Sequence, residues 1–423
     1  MKHAIVTFGC RVNQADSFVI EHGLRTRGSR PVVPEDADVV VVNTCAVTAS
    51  AEQAARQAIR RIARVNPAAR LIVTGCYATR RPGDVSALPN VVRVVGNGDK
   101  DALLDVVAGD IGLTTAERFA DGAGPCGTTL EPGAAGRTAL TLRVQTGCDE
   151  RCSYCIIPST RGSSRSRPPR DVLRDAHHAV AAGYREIAIT GVHLGSYGRD
   201  LPEGASLAAL IRRLAAVPQD VLFRISSLEP MDCTAEIVDV IASSPRIAPH
   251  FHLPLQHGSD AMLTAMQRPY TVAYYQALAD RIRAALPHAS VGSDIIVGFP
   301  GESPERFEEM RLVLERLPLT HLHVFPYSDR PGTAASRLRP KVDGREIRDR
   351  ARQIRAIGEA MAATFRRSQV GRVMRALTVD DGRSVVTPNY LKLRLTSGRQ
   401  RNEWIDVRVR DERHADATQA PAA

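Results

Sequence analysis

The chain has 423 residues, of which 43% are hydrophobic and 4% aromatic, a length that suits about three domains of roughly 150 residues each. No stretch approaches about 18 uninterrupted apolar residues and the amino terminus runs straight into a strand-like segment, so neither a membrane span nor a signal peptide is expected and a cytoplasmic location is. The net charge of +10 points to an acidic partner, RNA or DNA first, although 52 of the 56 cations are arginine, a bias that codon usage alone could produce.

Residues 1–110 alternate apolar runs with amphipathic stretches. Strands are predicted at 3–8, 37–42, 70–74 and 91–95, and helices near 14–27, 50–65, 81–88 and 100–108. Ser50-Ala-Glu-Gln53 reads as a capping box, after which Ala58, Ile59, Ile62 and Val65 repeat at helical spacing. Such alternation implies a parallel, doubly wound sheet. Its first three strands run into cysteines, as Phe-Gly-Cys10, Asn-Thr-Cys45 and Thr-Gly-Cys76. In a parallel sheet all carboxyl ends share one edge, so thiols 35 and 31 residues apart are expected to converge. Three thiolates are one short of the four that close a zinc or iron–sulfur site, which leaves an open position for chemistry. The plainer alternative is three buried small hydrophobes. Gly96-Asn-Gly98 reads as a turn rather than a phosphate loop.

Between about 109 and 137 the sequence loosens into Gly, Ala, Thr and Pro, a linker. A second βα series follows, with strands predicted at 139–144, 186–190, 221–226, 249–253, 290–297 and 321–325. Six repeats are too few for a closed eight-stranded barrel, so an open, partial (βα)6 barrel is expected. Directly after its first strand comes Cys148-x3-Cys152-x2-Cys155. Zinc fingers pair their cysteines in twos; an odd triplet on one loop points to a [4Fe–4S] cluster with one iron free. Cys126 and Cys233 have no evident partners and read as structural thiols. His250, His252 and His257 resemble a metal cluster, but the alternation His-Phe-His-Leu-Pro-Leu fits a strand end, and the structural reading is preferred. The basic run Thr160–Arg170, with Arg165 and Arg167, is read as phosphate contact rather than a solvated loop.

Residues 343–367 read as an Arg-rich helix, and 372–379, 390–395 and 404–409 as strands of a small module. Residues 366–413 hold twelve Arg and Lys against six Asp and Glu. The expected domains are 1–110, a linker at 111–136, a core at 137–340, a connecting helix at 341–367, an RNA-binding module at 368–412 and a disordered tail at 413–423.

The motif Cys148-x3-Cys152-Ser-Tyr154-Cys155 resembles the radical S-adenosylmethionine (SAM) signature. With Gly-Cys10-Arg-Val-Asn-Gln14, Asn43-Thr-Cys45-Ala-Val-Thr48 and Gly75-Cys76-Tyr77, the chain resembles the radical SAM methylthiotransferases. Arg224-Ile-Ser-Ser-Leu-Glu-Pro230, Gly292-Ser-Asp-Ile-Ile-Val-Gly-Phe-Pro-Gly-Glu302 and Phe325-Pro-Tyr-Ser328 look most like the MtaB branch, and the similarity spans nearly all of residues 1–340. The resemblance implies an enzyme with two [4Fe–4S] clusters. The cluster at Cys148, Cys152 and Cys155 would bind SAM and generate a 5′-deoxyadenosyl radical. The other, at Cys10, Cys45 and Cys76, would deliver a methylthio group to C2 of N6-threonylcarbamoyladenosine beside a tRNA anticodon. It further implies SAM contacts from Tyr154, Thr190, Gly191, Gln256, Asp294 and Gly298, and a TRAM-like β-barrel as the carboxyl-terminal module. Glu229 is a candidate for substrate contact or for capping a helix. tRNA, a reductant protein such as flavodoxin or ferredoxin, and a monomeric state complete the expectation. The alternatives are a methylthiotransferase acting on isopentenyladenosine or on a ribosomal-protein aspartate, and a non-catalytic metal-dependent RNA-binding protein.

Overall fold

A computed structural model describes residues 1–110, 132, 138–202 and 204–418; the expected linker, Cys126 and residues 419–423 of the expected tail lie outside them. The first layer is built on β1 (Lys2–Thr7), α1 (Arg11–Thr26), β2 (Arg30–Pro31), β3 (Val39–Thr44), α2 (Ala49–Val65), β4 (Arg70–Gly75), α3 (Cys76–Arg80), α4 (Pro82–Ser86), β5 (Val91–Val95) and α5 (Leu103–Asp110). All pairings are parallel, in the order β2-β1-β3-β4-β5. β3, Val-Val-Val-Val-Asn-Thr, is buried at every position, as a central strand covered on both faces must be. Helix α2 buries Ala55, Ile59, Ile62 and Ala63, a stripe at helical spacing that meets Val40, Val42, Leu71 and Val73 of the sheet. Burying each large aliphatic contributes roughly 1.5–3 kcal/mol. Its cap corrects the capping box: the Thr48 hydroxyl accepts from Ala51 N–H, so Ser50 lies inside the first turn rather than before it.

The second layer comprises β6 (Leu140–Arg143), β7 (Gln145–Thr146), α6 (Ile157–Arg161), β8 (Arg165–Ser166), α7 (Pro169–Ala181), β9 (Glu186–Thr190), α8 (Leu207–Ala215), β10 (Leu222–Ile225), α9 (Ala235–Ser243), β11 (His250–His252), α10 (Asp260–Ala265), α11 (Val272–Ala285), β12 (Ser290–Val297), α12 (Pro304–Arg316) and β13 (His321–Pro326). Two parallel three-stranded sheets, β6-β9-β10 and β11-β12-β13, are joined by the bridges Phe223↔Ile247 and Ser227↔His252. The product is a six-stranded open barrel whose gap lies between β6 and β13. Helix α1 of the first layer packs on β6, and α13 (Gly344–Ser368) on β13.

The last element is a closed barrel of β14 (Val373–Val379), β15 (Ser384–Val386), β16 (Lys392–Leu395), β17 (Trp404–Val409) and β18 (His414–Ala417), ordered β14-β15-β16-β18-β17. This corrects the expected disordered start at residue 413. β18 pairs with both β16 and β17 and buries Ala415 in the module's core, and without it the barrel would stay open. The module caps the amino ends of the large barrel. Asn402 Nδ2 donates to Gly183 O before β9 (2.7 Å), Asn389 Nδ2 to His288 O before β12 (3.0 Å), and Arg375 pairs with Asp220 before β10.

Candidate metal centres

The order β2-β1-β3-β4-β5 is that of flavodoxin-like sheets, which bind ligands outside the carboxyl ends at the switch point between β1 and β3. Cys10 and Cys45 leave that switch point. Gly9 has φ +89, and a Cβ there would sit 2.6 Å from Cys45 Cβ, so the chain passes Cys45 only as glycine. Asn13 clamps both loops, donating to Phe8 O (2.8 Å) and Thr44 O (2.9 Å). Cys76 follows Gly75, which is paired in register with Thr44, and so emerges beside Cys45. Val47 N–H points at Cys45 Sγ (3.5 Å), and Asn97 Nδ2 donates to Cys76 Sγ (3.6 Å). Burial, with Cys10 and Cys76 close by, pushes the Cys45 thiol up to about 11.

The second triplet lies at the carboxyl mouth of the large barrel. Cys148 N–H is held by Gly162 O (3.0 Å), Ser153 N–H by Met266 O (3.0 Å), and Ser153 O accepts from Ala335 N–H (2.8 Å). Arg268 Nη1 donates to Cys152 Sγ (3.0 Å) and its other arm pairs with Glu229. Ile157 N–H meets Cys155 Sγ (3.4 Å), and burial pushes that thiol up to about 12. Burial alone would lower His193, but hydrogen bonds to Asp232 (2.7 Å) and Cys148 push it up to about 10.

The two triplets share one wall. Ile156, one residue past Cys155, is buried in the same cluster as Cys76, Tyr77 and Ala78 of the first layer. Asn97 Nδ2, the donor to Cys76, also reaches Thr160 O (2.9 Å). Arg161 crosses from the second loop to Asn13 and Asp16. Asp16 is buried and also receives Lys100 (2.8 Å) and Arg143.

The donor set fits iron–sulfur clusters better than single ions. Among the described residues, the ligand atoms that come within 4.8 Å of one another are those of His252, Asp294 and His323, not of either cysteine triplet. Tetrahedral zinc with bonds near 2.3 Å would hold its sulfurs about 3.8 Å apart, whereas a cluster gives each thiolate its own iron.

The other expected site residues are distributed around the same mouth. Thr190 ends β9 and accepts from Ser226 Oγ (3.2 Å); Gly191 abuts Gln145. Tyr154 is edge-on to Phe299. Gln256 adopts φ +70 and its backbone bridges β12. Asp294 is held by His252 Nε2 (3.0 Å) and His323 Nδ1 (3.2 Å), and Gly298 N–H by Glu302 (2.9 Å). The histidine triplet does not form: His257 is buried on Glu302 (3.2 Å), and His250 stands apart against Tyr390. Glu229 caps nothing through its side chain; it neutralises Arg268. In the basic run, Arg165 is exposed, Arg167 is tied to Asp175 (2.6 Å), and Arg161 is buried. Sequence reasoning missed Asp16, Asn97, Arg161 and Arg268; the one local hint was the apolar Ile156-Ile157 beside Arg161.

Two family models match this chain, the uncharacterized protein family UPF0004 over residues 2–96 and the radical SAM superfamily over residues 142–314. The threonylcarbamoyladenosine tRNA methylthiotransferase MtaB of Aquifex aeolicus is 35% identical over 93% of this chain and 96% of its own length. That of Bacillus subtilis is 36% identical over 86% and 81%. The chain belongs to the radical SAM methylthiotransferase family. Another relative of this methylthiotransferase is the tRNA-2-methylthio-N(6)-dimethylallyladenosine synthase of Acidothermus cellulolyticus, 32% identical over 98% of this chain and 84% of its own. Among solved structures, the radical SAM methyltransferase TsrM of Kitasatospora setae matches with a TM-score of 0.57 at 16% identity, over 79% of this chain and 73% of that one, a likeness of fold. Radical SAM membership brings one [4Fe–4S] cluster and SAM to the methylthiotransferase. Among its described residues no helix is long and apolar enough to cross a membrane.

Proposed function

We propose that this methylthiotransferase modifies C2 of N6-threonylcarbamoyladenosine beside the anticodon of tRNA. A first [4Fe–4S] cluster with SAM would be held by Cys148, Cys152 and Cys155, and a second [4Fe–4S] cluster by Cys10, Cys45 and Cys76. When bound, these groups supply the radical and the sulfur needed to replace an unactivated C–H bond, which side-chain acids and bases cannot do. The residues of the chain orient and shield. Arg268 neutralises charge at Cys152, and Asn97 and Val47 N–H donate hydrogen bonds to the sulfurs of Cys76 and Cys45. Arg161, paired with Asp16 and bonded to Asn13, ties the loop carrying the second triplet to the helix that follows Cys10. Tyr154, Thr190, Gly191, Gln256, Asp294 and Gly298 are assigned to the SAM pocket by the family resemblance. Residues 1–110, 137–340 and the module beginning at 368 act as sulfur-donating, radical-generating and RNA-binding units. A cytoplasmic flavodoxin- or ferredoxin-type donor supplies electrons, and the enzyme works as a monomer.

The observation that carries this reading is the pair of separate three-thiol sets, at the carboxyl edges of two adjoining layers and fastened together by Arg161. Its support on the substrate side is the activity for which the MtaB relatives are named. The test is mass spectrometry of tRNA nucleosides from cells lacking the gene. Loss of 2-methylthio-threonylcarbamoyladenosine alone, restored by the wild-type chain but not by a Cys10/Cys45/Cys76→Ala variant, is expected. Loss of the dimethylallyl product instead would move the substrate assignment to the other branch.

A further inference from the structure

A cavity of about 460 Å3 opens where the three layers meet, with Arg11, Thr141, Glu186, Arg224, Tyr390 and Lys392 in its wall. Two of its three cations are committed. Arg224 is fully buried, pairs with Glu186 (2.8 Å) and donates to Pro388 O (2.7 Å) and Thr387 O (3.3 Å). Lys392 pairs with Asp380 (2.7 Å). Arg11 differs: among the described residues no carboxylate lies within 4.0 Å of it, and its guanidinium donates to the Tyr390 hydroxyl (3.0 Å). Arg11 is also the residue after Cys10.

Tyr390 looks placed for a purpose. It is a non-glycine residue at φ +69, a conformation that persists only where its surroundings impose it. Asn389 anchors its loop on His288 O and Gln369 Oε1. Arg224 stacks on the ring at 4.7 Å and His250 sits 4.7 Å away. His250 is buried, and its Nδ1 has no hydrogen-bond partner.

The substrate chemistry supplies the ligand. In an adenine, C2 and C6 flank N1, so presenting C2 to sulfur held at Cys10, Cys45 and Cys76 leaves the N6 arm beside the same loop. A threonylcarbamoyl arm ends in a carboxylate; a dimethylallyl arm is hydrocarbon throughout. An unpaired guanidinium next to Cys10 matches the first by a forked, charge-assisted contact and gains nothing from the second. We infer that Arg11, oriented by Tyr390, is the subsite for the carboxylate of the N6 arm and so selects carboxylate-bearing adenosines. The inference rests on the proposed tRNA adenosine substrate. It also gives the carboxyl-terminal module a direct part in the site, through Tyr390.

The test uses the full chain with both clusters reconstituted anaerobically, and anticodon stem-loops whose threonyl carboxylate is free or converted to the neutral amide. The wild type should prefer the acid by roughly ten- to a hundredfold in kcat/KM, the range of a charge-assisted contact. Arg11→Gln should lose that preference by falling on the acid alone, with iron content and 5′-deoxyadenosine formation unchanged. Arg11→Lys should retain part of it, and Tyr390→Phe should weaken it. Equal preference for the acid in wild type and Arg11→Gln would overturn the assignment, as would loss of iron in Arg11→Gln. Failure of the wild type on both stem-loops would instead sink the substrate reading.

Discussion

At the scale of single residues, the junction between the triplets depends on one buried carboxylate. Asp16 faces Lys100, Arg143 and Arg161 with almost no exposure. Burial alone would raise its pKa, but those three cations hold it below the ordinary carboxylate range. Asp16→Ala strands the desolvated Lys100 and Arg161 beside the partly exposed Arg143, and removing one side of a buried pair typically costs about 3–5 kcal/mol. Urea denaturation of the variant should show a loss of that order. The pH dependence has a definite sign. Because folding lowers this pKa, its contribution is complete above the unfolded value of about 4 and disappears as pH falls through the lower folded value. The wild type should therefore lose stability on acidification below about pH 4 more steeply than Asp16→Asn, whose amide does not titrate. Parallel curves would remove Asp16 as a source of acid sensitivity.

At the scale of elements, the β4–α3 turn is the tightest constraint on the first triplet. Gly75 has φ +96, and an added Cβ would stand 2.3 Å from Thr44 O, on the backbone that carries Cys45. Gly75→Ala has to part β3 from β4 just where two of the three thiols emerge. On the proposal that each triplet holds a four-iron cluster, iron after reconstitution should fall from about eight to about four per chain, while reductant-dependent SAM cleavage persists and methylthio product is lost. Retention of all the iron would show that the turn tolerates the methyl group. This edge was legible in the sequence because strand, glycine and cysteine are adjacent along the chain. Ser50 misled because Thr48, two residues earlier, offers an equally good capping hydroxyl. β15 and β18 escaped because Ser-Val-Val and His-Ala-Asp-Ala are too short for alternation to register. Arg161 and Arg268 escaped for a different reason. Their burial is decided by partners such as Asp16, 145 residues away in sequence, and 52 arginines offer no local mark of which ones are desolvated.

At the scale of the whole molecule, the positive charge of the carboxyl-terminal module is unevenly spent. Arg366 and Arg367 face Glu412, Arg375 faces Asp220 and Lys392 faces Asp380. Arg383, Arg394, Arg399 and Arg413 are exposed, and no carboxylate lies within 4.0 Å of them among the described residues. The backbone gathers these four. Ser384 is in register with Arg394, Arg394 N–H bonds to Arg413 O, Leu395 N–H to Arg383 O, and Arg399 N–H to Gly382 O. A patch of unpaired guanidiniums on a closed barrel suits RNA phosphates, whose contacts each release condensed counterions. Arg394→Ala with Arg413→Ala should weaken tRNA binding without regard to sequence and lower the slope of log K against log salt by about two. Arg375→Ala, which breaks an exposed docking pair worth at most about 1 kcal/mol, should leave that slope unchanged. If the double variant kept the wild-type slope, the RNA backbone would have to run elsewhere, with exposed Arg165 on the cluster loop the next residue to replace.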